Sequence, residues 1–525
     1  MKLLTATIVA SVALASHWQF AAATQPFRAQ SANIERLLAN SLNARADDGV
    51  KAEATFPVYT FTQPLDHFKD TGHTFEQRYW VSARNYNPNA TTPVPVIVLD
   101  GGEGAGDRRF PFLDTGIVDI LTKATGGLGV VLEHRYYGES IPVQNFTTDS
   151  LRWLNNEQAL ADSANFIANV KFPGIDADLT APNTPWIYYG GSYAGARAAH
   201  MRTLYPDLVY GAIASSAVTV ATIDNWRYTD IVRRFAPQEC IKQILTTMST
   251  VDGLLLKGGR HRAAIKQLFG MPNVTHDVDF ASMLDSSIWY WQNTNWDPGY
   301  GDPRFFAFCD DIGKPDNKQV EIAPGIKVNS AVPKYANHMI KNYVSQCTPP
   351  STQDECFGTF DPEGYSADDI SQSWRLWGFQ VCTQWGYFLP PPPEGIPSLR
   401  SRLITLDYDS KSCRLAYPPG EHFKVPAWPD VNSVNKLGGF NIAADRLAFI
   451  DGEADPWRSN TPHADQAKPR KDTIQRPFKY LPGAVHHWDE NGLSDPSAEP
   501  PLIQKIHQQQ IAFVKAWLKD FKRPA

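Results

Sequence analysis

The stretch WIYYGGSYAGARAAHMRTLY, residues 186–205, decides the fold. Trp186 to Tyr189 is a short apolar run of the kind that forms a strand buried on both faces, and the residues after Gly195 read as a helix. Between them lies Gly190-Gly191-Ser192-Tyr193-Ala194-Gly195, so the chain passes from strand to helix through a tight turn. A serine at such an elbow needs small neighbours because the backbone is strained there, and Gly and Ala supply them. The helix behind it aims first-turn N–H groups at negative charge developing beside the serine.

Outward from the elbow, VPVIVLD (94–100), GLGVVLEHR (127–135) and YGAIASSA (210–217) are similar apolar runs bounded by Gly or Pro. Residues 154–170, around NEQALADSANFI, carry a helical period. RLAFIDG (446–452) and FKYLPG (478–483) resume the pattern late in the chain. A last amphipathic helix then places Leu502, Ile506, Phe513, Trp517 and Phe521 near one face. This alternation predicts an α/β fold with a parallel sheet covered on both sides. Residues 220–430 read differently: they hold all six cysteines and the run Pro390 to Pro393, and show no clear alternation. The expected layout is an α/β core over 24–219 and 431–525, with a largely helical, disulfide-bonded insertion over 220–430.

Composition limits the function. The 525 residues are 42% hydrophobic and 12% aromatic, too apolar for a mostly disordered chain. Net charge is −6 with no dense basic run, which argues against nucleic acid as a partner. No long apolar run follows the N-terminus, so no membrane anchor is expected. Lys2, the apolar Leu3 to Ala15 and small residues through Ala23 read as a secretory signal peptide over 1–23, with cleavage after Ala15 or Ala23. Glycosylation sequons at Asn89, Asn145 and Asn273, and the even count of cysteines (240, 309, 347, 356, 382, 413), agree with an extracellular or vacuole-like destination.

A nucleophilic serine needs a base, and an acid to orient that base. In the α/β-hydrolase order they follow the last two strands, acid first. RLAFIDG runs into three acids, Asp451, Glu453 and Asp455, and FKYLPG runs into His486 and His487. A later loop position favours Asp455; spacing alone leaves the two histidines equivalent. The oxyanion is expected to take N–H groups from Tyr193 and from the loop Asp100-Gly101-Gly102-Glu103-Gly104, with Gly102 as the donor there. No HExxH or other ligand spacing is present, so neither metal nor cofactor is expected.

Together, QPLDHF (63–68), TFEQRYW (74–80), GGEG (101–104), EHRYYGES (133–140), NEQALAD (156–162), GGSYAG (190–195) and DPW (455–457), with the late His pair, resemble a known serine peptidase family. It is the family of lysosomal Pro-Xaa carboxypeptidase and dipeptidyl peptidase II, and the chain is most similar to its secreted fungal members, which include prolyl endoproteases. The resemblance implies an α/β-hydrolase core with a helical cap (220–430) inserted between nucleophile and acid, and Ser192 as nucleophile, Asp455 as acid and His486 as base. It places Trp457 against a substrate proline, with Glu103 a further substrate-binding candidate, and proline-containing peptides as substrates. Cys382 with Cys413 resembles a disulfide of the family's cap, Cys240 with Cys309 resembles fungal members, and Cys347 with Cys356 is the third pairing expected. Ala196 departs from a bulkier Met near the proline pocket of a mammalian relative, and Gln384 stands in CTQ where relatives often have CTE. Exopeptidase action is the favoured expectation and prolyl endopeptidase or esterase action the alternative; a homodimer is one open assembly.

Overall fold

The computed structural model describes residues 56–523, so the expected signal segment, 1–23, lies outside the described residues. Among the described residues there are twelve strands: β1 (Val58–Pro64), β2 (Thr74–Ser82), β3 (Val96–Asp100), β4 (Leu128–Leu132), β5 (Trp186–Gly191), β6 (Gly211–Ser215), β7 (Thr222–Asp224), β8 (Gln319–Ala323), β9 (Ile326–Asn329), β10 (Gly386–Phe388), β11 (Leu447–Gly452) and β12 (Phe478–Leu481). Eight form one sheet in the order β1-β2-β4-β3-β5-β6-β11-β12. β2 is antiparallel to β1 and to β4, and every other neighbouring pair is parallel. This is the α/β-hydrolase sheet. The runs read as doubly buried strands are its centre: β3, β4, β6 and β11 are buried at every residue, as continuous apolar sequence requires between two helical layers.

One layer contains helices Asn156–Asn169 and Ser192–Leu204, packed with Phe166, Trp186 and Met201. The opposite layer contains Ile117–Thr125 and Pro501–Lys519, packed with Ile213, Phe513 and Trp517. The first helix of the former layer is capped by Asn155, whose side chain accepts from the Gln158 N–H.

Between β6 and β11 the chain builds mostly helices, the longest being Gln238–Lys257, with two small sheets, β7 with β10 and β8 with β9. Its three disulfides are Cys240–Cys309, Cys347–Cys356 and Cys382–Cys413. The apolar core of this insertion is continuous with Tyr136, Tyr193 and Trp457 of the sheet domain, so it sits over the carboxyl ends of the strands. Asn89 and Asn273 are exposed. Asn145 is half-buried, and its side-chain oxygen accepts from the Thr147 and Ser150 hydroxyls at 2.9 and 2.7 Å.

Candidate active site

Ser192 opens its helix directly after β5 with φ +57°, the left-handed region that an L-residue enters only under constraint. Its neighbours show what the constraint is. A Cβ at Gly190 would lie 2.1 Å from the Ala194 carbonyl oxygen, and one at Gly191 would lie 2.1 Å from Glu490 Oε1 and 2.3 Å from His487 Nδ1. The two glycines are therefore demanded by the turn itself and by the carboxylate–imidazole pair wedged beneath it.

The loops after β11 and β12 bring their side chains to this elbow. His486 Nε2 lies 3.1 Å from Ser192 Oγ, and His486 Nδ1 lies 2.8 Å from Asp455 Oδ2. All three are buried, Asp455 completely. Asp455 Oδ1 also accepts from the Trp457 N–H at 2.9 Å. Burial alone would raise the Asp455 carboxyl; His486, the Ser216 hydroxyl and the Trp457 N–H outweigh it and hold the carboxyl below the usual carboxylate range. The other candidates turn elsewhere. Asp451 pairs with His463 at 2.6 Å, and burial pushes its carboxyl up. Glu453 accepts from the Gly483 N–H at 2.9 Å, and His487 pairs with Glu490 at 2.9 Å. The arrangement at the elbow is hydroxyl, imidazole and carboxylate in series, with the imidazole able to move a proton and the carboxylate able to stabilise its charged form.

The Tyr193 N–H belongs to the first helical turn, where amides have no helical acceptor. Its hydroxyl bonds His134 Nε2 at 2.9 Å, and burial, with Arg197 adding, pushes that imidazole down to about 3. Gly102 differs from expectation. With φ +64° it sits beside Ala194, but its N–H donates to Asp100 Oδ1 at 2.9 Å, which engages it inside its own loop. Asp100 is fixed in turn by Arg197 Nε and the Tyr188 hydroxyl, each at 2.6 Å. Glu103 is half-buried; burial pushes its carboxyl up, outweighing the opposite charge on Arg109.

Trp457 is buried between Tyr228 and Tyr387, whose rings meet it edge-on with centroids 5.1 and 5.0 Å away. Its indole N–H donates to Gln292 Oε1 at 2.7 Å. Gln292 comes from the 3₁₀ turn Ile288–Asn293 of the insertion and had no signal in the sequence. The same region is pinned to the loops after β11 and β12: Trp291 Nε1 donates to the Ala454 carbonyl at 3.0 Å, and Trp296 Nε1 to the Trp488 carbonyl at 2.8 Å. Ala196 is fully buried behind the elbow. Gln384 accepts from the Asn156 N–H at 2.9 Å and donates to Glu157 Oε2 at 2.9 Å, so it joins the insertion to the start of a core helix.

Residues 63–498 match the family described as serine carboxypeptidase S28. A protein of Arthroderma benhamiae described as "Probable extracellular serine carboxypeptidase" is 40% identical over 513 residues, covering 91% of this chain and 70% of that protein. The serine protease vicPa of Bipolaris victoriae is 28% identical over 88% of each chain, and the thymus-specific serine protease of Mus musculus is 29% identical over 88% of this chain and 87% of its own.

Proposed function

The chain belongs to the serine carboxypeptidase S28 family and is a serine-type peptidase, and from that premise we propose a secreted enzyme that hydrolyses peptide bonds after proline, trimming chain ends through an acyl-enzyme on Ser192. The observation that carries the reading is the single imidazole, His486, bonded at once to the Ser192 hydroxyl and to the buried Asp455 carboxylate. His486 takes the Ser192 proton as Oγ attacks the carbonyl, and returns it to the leaving amine; Asp455 fixes the tautomer and stabilises the imidazolium. Water then attacks the acyl-serine by the same relay run again. The oxyanion takes the Tyr193 N–H and a second amide from the loop beyond Gly102, since the Gly101 and Gly102 N–H groups are engaged by Leu132 and Asp100; one such donor is worth about 2.7–4 kcal/mol in comparable sites. Trp457 offers an apolar indole to the pyrrolidine ring. The description of the Arthroderma relative as extracellular supports the location, and the description as a carboxypeptidase supports end-trimming.

Mass spectrometry of one long peptide with an internal proline and one ending in Pro-Xaa, each incubated with wild-type protein and with Ser192→Ala, tests the proposal. Trimming after proline that vanishes in the variant is the expected result. Internal cleavage moves the assignment to an endopeptidase. Turnover that survives in Ser192→Ala overturns the mechanism.

A further inference from the structure

The wall that runs from the nucleophile elbow to the acid loop is a chain of aromatic rings: Tyr193 to Trp385 (5.2 Å between centroids), Trp385 to Tyr387 (6.0 Å), Tyr387 to Trp457 (5.0 Å) and Trp457 to Tyr228 (5.1 Å). At its far end the Gln292 carboxamide is only 2% exposed. Gln292 Oε1 accepts two hydrogen bonds, from Trp457 Nε1 at 2.7 Å and from the Tyr228 hydroxyl at 2.9 Å. An indole N–H can only donate, so the carboxamide cannot be turned over: its oxygen faces Trp457 and its N–H₂ faces away. That N–H₂ is buried and meets no acceptor among the described residues. The Trp385 indole N–H, on the same wall, is buried in the same condition. Both unpaired groups are donors, and a buried donor without an acceptor is costly in any state that leaves it so.

The substrate chemistry proposed above is the complement. The amide nitrogen of a proline residue carries no hydrogen, so the Xaa-Pro unit presents two carbonyl oxygens and no N–H at the bond between them. One of them, on proline, is the reacting carbonyl. The other belongs to the residue before proline. We propose that Gln292 is a substrate-binding residue whose side-chain N–H₂ donates to the carbonyl oxygen of the residue preceding proline. The inference rests on the proline reading. It adds to ring stacking on proline a hydrogen bond that holds the residue before it, with the donor supplied by the insertion and oriented by the core's own Trp457.

The test compares kcat/KM for Ala-Pro-Phe, for the same peptide with sulfur replacing the Ala carbonyl oxygen, and for Ala-Ala-Phe, in wild type, Gln292→Met and Gln292→Glu. Sulfur is the weaker acceptor, so wild type should lose about tenfold on the sulfur peptide, the size of one hydrogen bond. Gln292→Met should lower turnover of the oxygen peptide and treat the two peptides alike within about twofold. A Glu kept protonated by burial retains an acceptor oxygen and an O–H donor, so Gln292→Glu should keep the discrimination. Uptake of a serine-directed phosphonate at Ser192 checks that each variant has an assembled site. If Gln292→Met fails that check, Gln292→Glu above the titration of its carboxyl stands in for it: the acceptor is kept, the donor is gone, and discrimination should vanish. Wild type that prefers Ala-Pro-Phe over Ala-Ala-Phe yet ignores sulfur overturns the proposal alone, as does a donor-less variant that still discriminates. Wild type without preference for proline overturns the proline reading and this inference with it.

Discussion

Ser192 is the residue whose role was most legible in the sequence, because the elbow writes its demands into adjacent positions. Gly191 meets a demand that local sequence could not display: Glu490 and His487 occupy the volume its side chain would need. Gly191→Ala is therefore expected to displace that pair or the elbow and to abolish measurable peptidase activity, read by activity together with phosphonate uptake. Asp451, Glu453 and Asp455 look alike in the sequence, as do His486 and His487, and only the paths of two loops separate them. Asp455→Asn should leave the fold intact and lower kcat by about 10⁴-fold, because an amide no longer selects the imidazole tautomer that accepts the serine proton. A loss of tenfold or less, measured by steady-state kinetics, would mean another acid serves His486. Gln292 lay beyond reading altogether, since its partners Trp457 and Tyr228 are remote in sequence and no motif surrounds it.

At the scale of elements, the central strands could be read because burial on both faces makes them continuously apolar. β1 and β2 could not. VYTFTQP and TFEQRYWVS alternate buried or half-buried with exposed residues near the sheet edge, and such alternation is a weaker signal than an unbroken apolar run. The insertion could be read as helical and disulfide-bonded but not as the scaffold of the Trp457 contact. Its covalent ties suggest a graded test. Cys382–Cys413 closes 31 residues, so replacing both cysteines by serine should cost roughly 3–4 kcal/mol through the freed unfolded chain. Denaturant unfolding of wild type and variant measures it, and an unchanged midpoint would contradict it. Gln384→Glu would set a carboxyl beside Glu157, 2.9 Å from the present donor, and should destabilise the joint increasingly as pH rises and both groups ionise. Thermal unfolding across pH reads that trend.

Across the whole molecule, several buried titrating groups tie stability to pH, and their directions combine. Burial, reinforced by Arg197, pushes His134 and His200 down to about 3. The unfolded chain therefore binds protons there that the folded chain refuses, and stability is lost as pH falls below about 6.5. Asp100, Asp162 and Asp455 are held low against burial by Arg197, Arg135 and His486 respectively, and their contribution is lost at still lower pH. Asp489 opposes the trend: burial and neighbouring Glu490 push its carboxyl up to about 6, so its contribution is present below about 4 and lost as pH rises through 6. The melting temperature should rise from pH 4 to about 6.5, and rise more steeply in Asp489→Asn, from which the opposing contribution is gone. A shallower rise in that variant would contradict the assignment.

The central claim is that His486 activates Ser192 as the nucleophile of a peptidase. The most direct measurement is stoichiometric reaction with a peptidyl-proline phosphonate, followed by intact mass and peptide mapping while residual hydrolysis of a proline peptide is recorded. The account predicts a single adduct on Ser192, hydrolysis falling in proportion to labelling, and no adduct in Ser192→Ala. An adduct on another residue, or hydrolysis that persists when Ser192 is fully labelled, would contradict it.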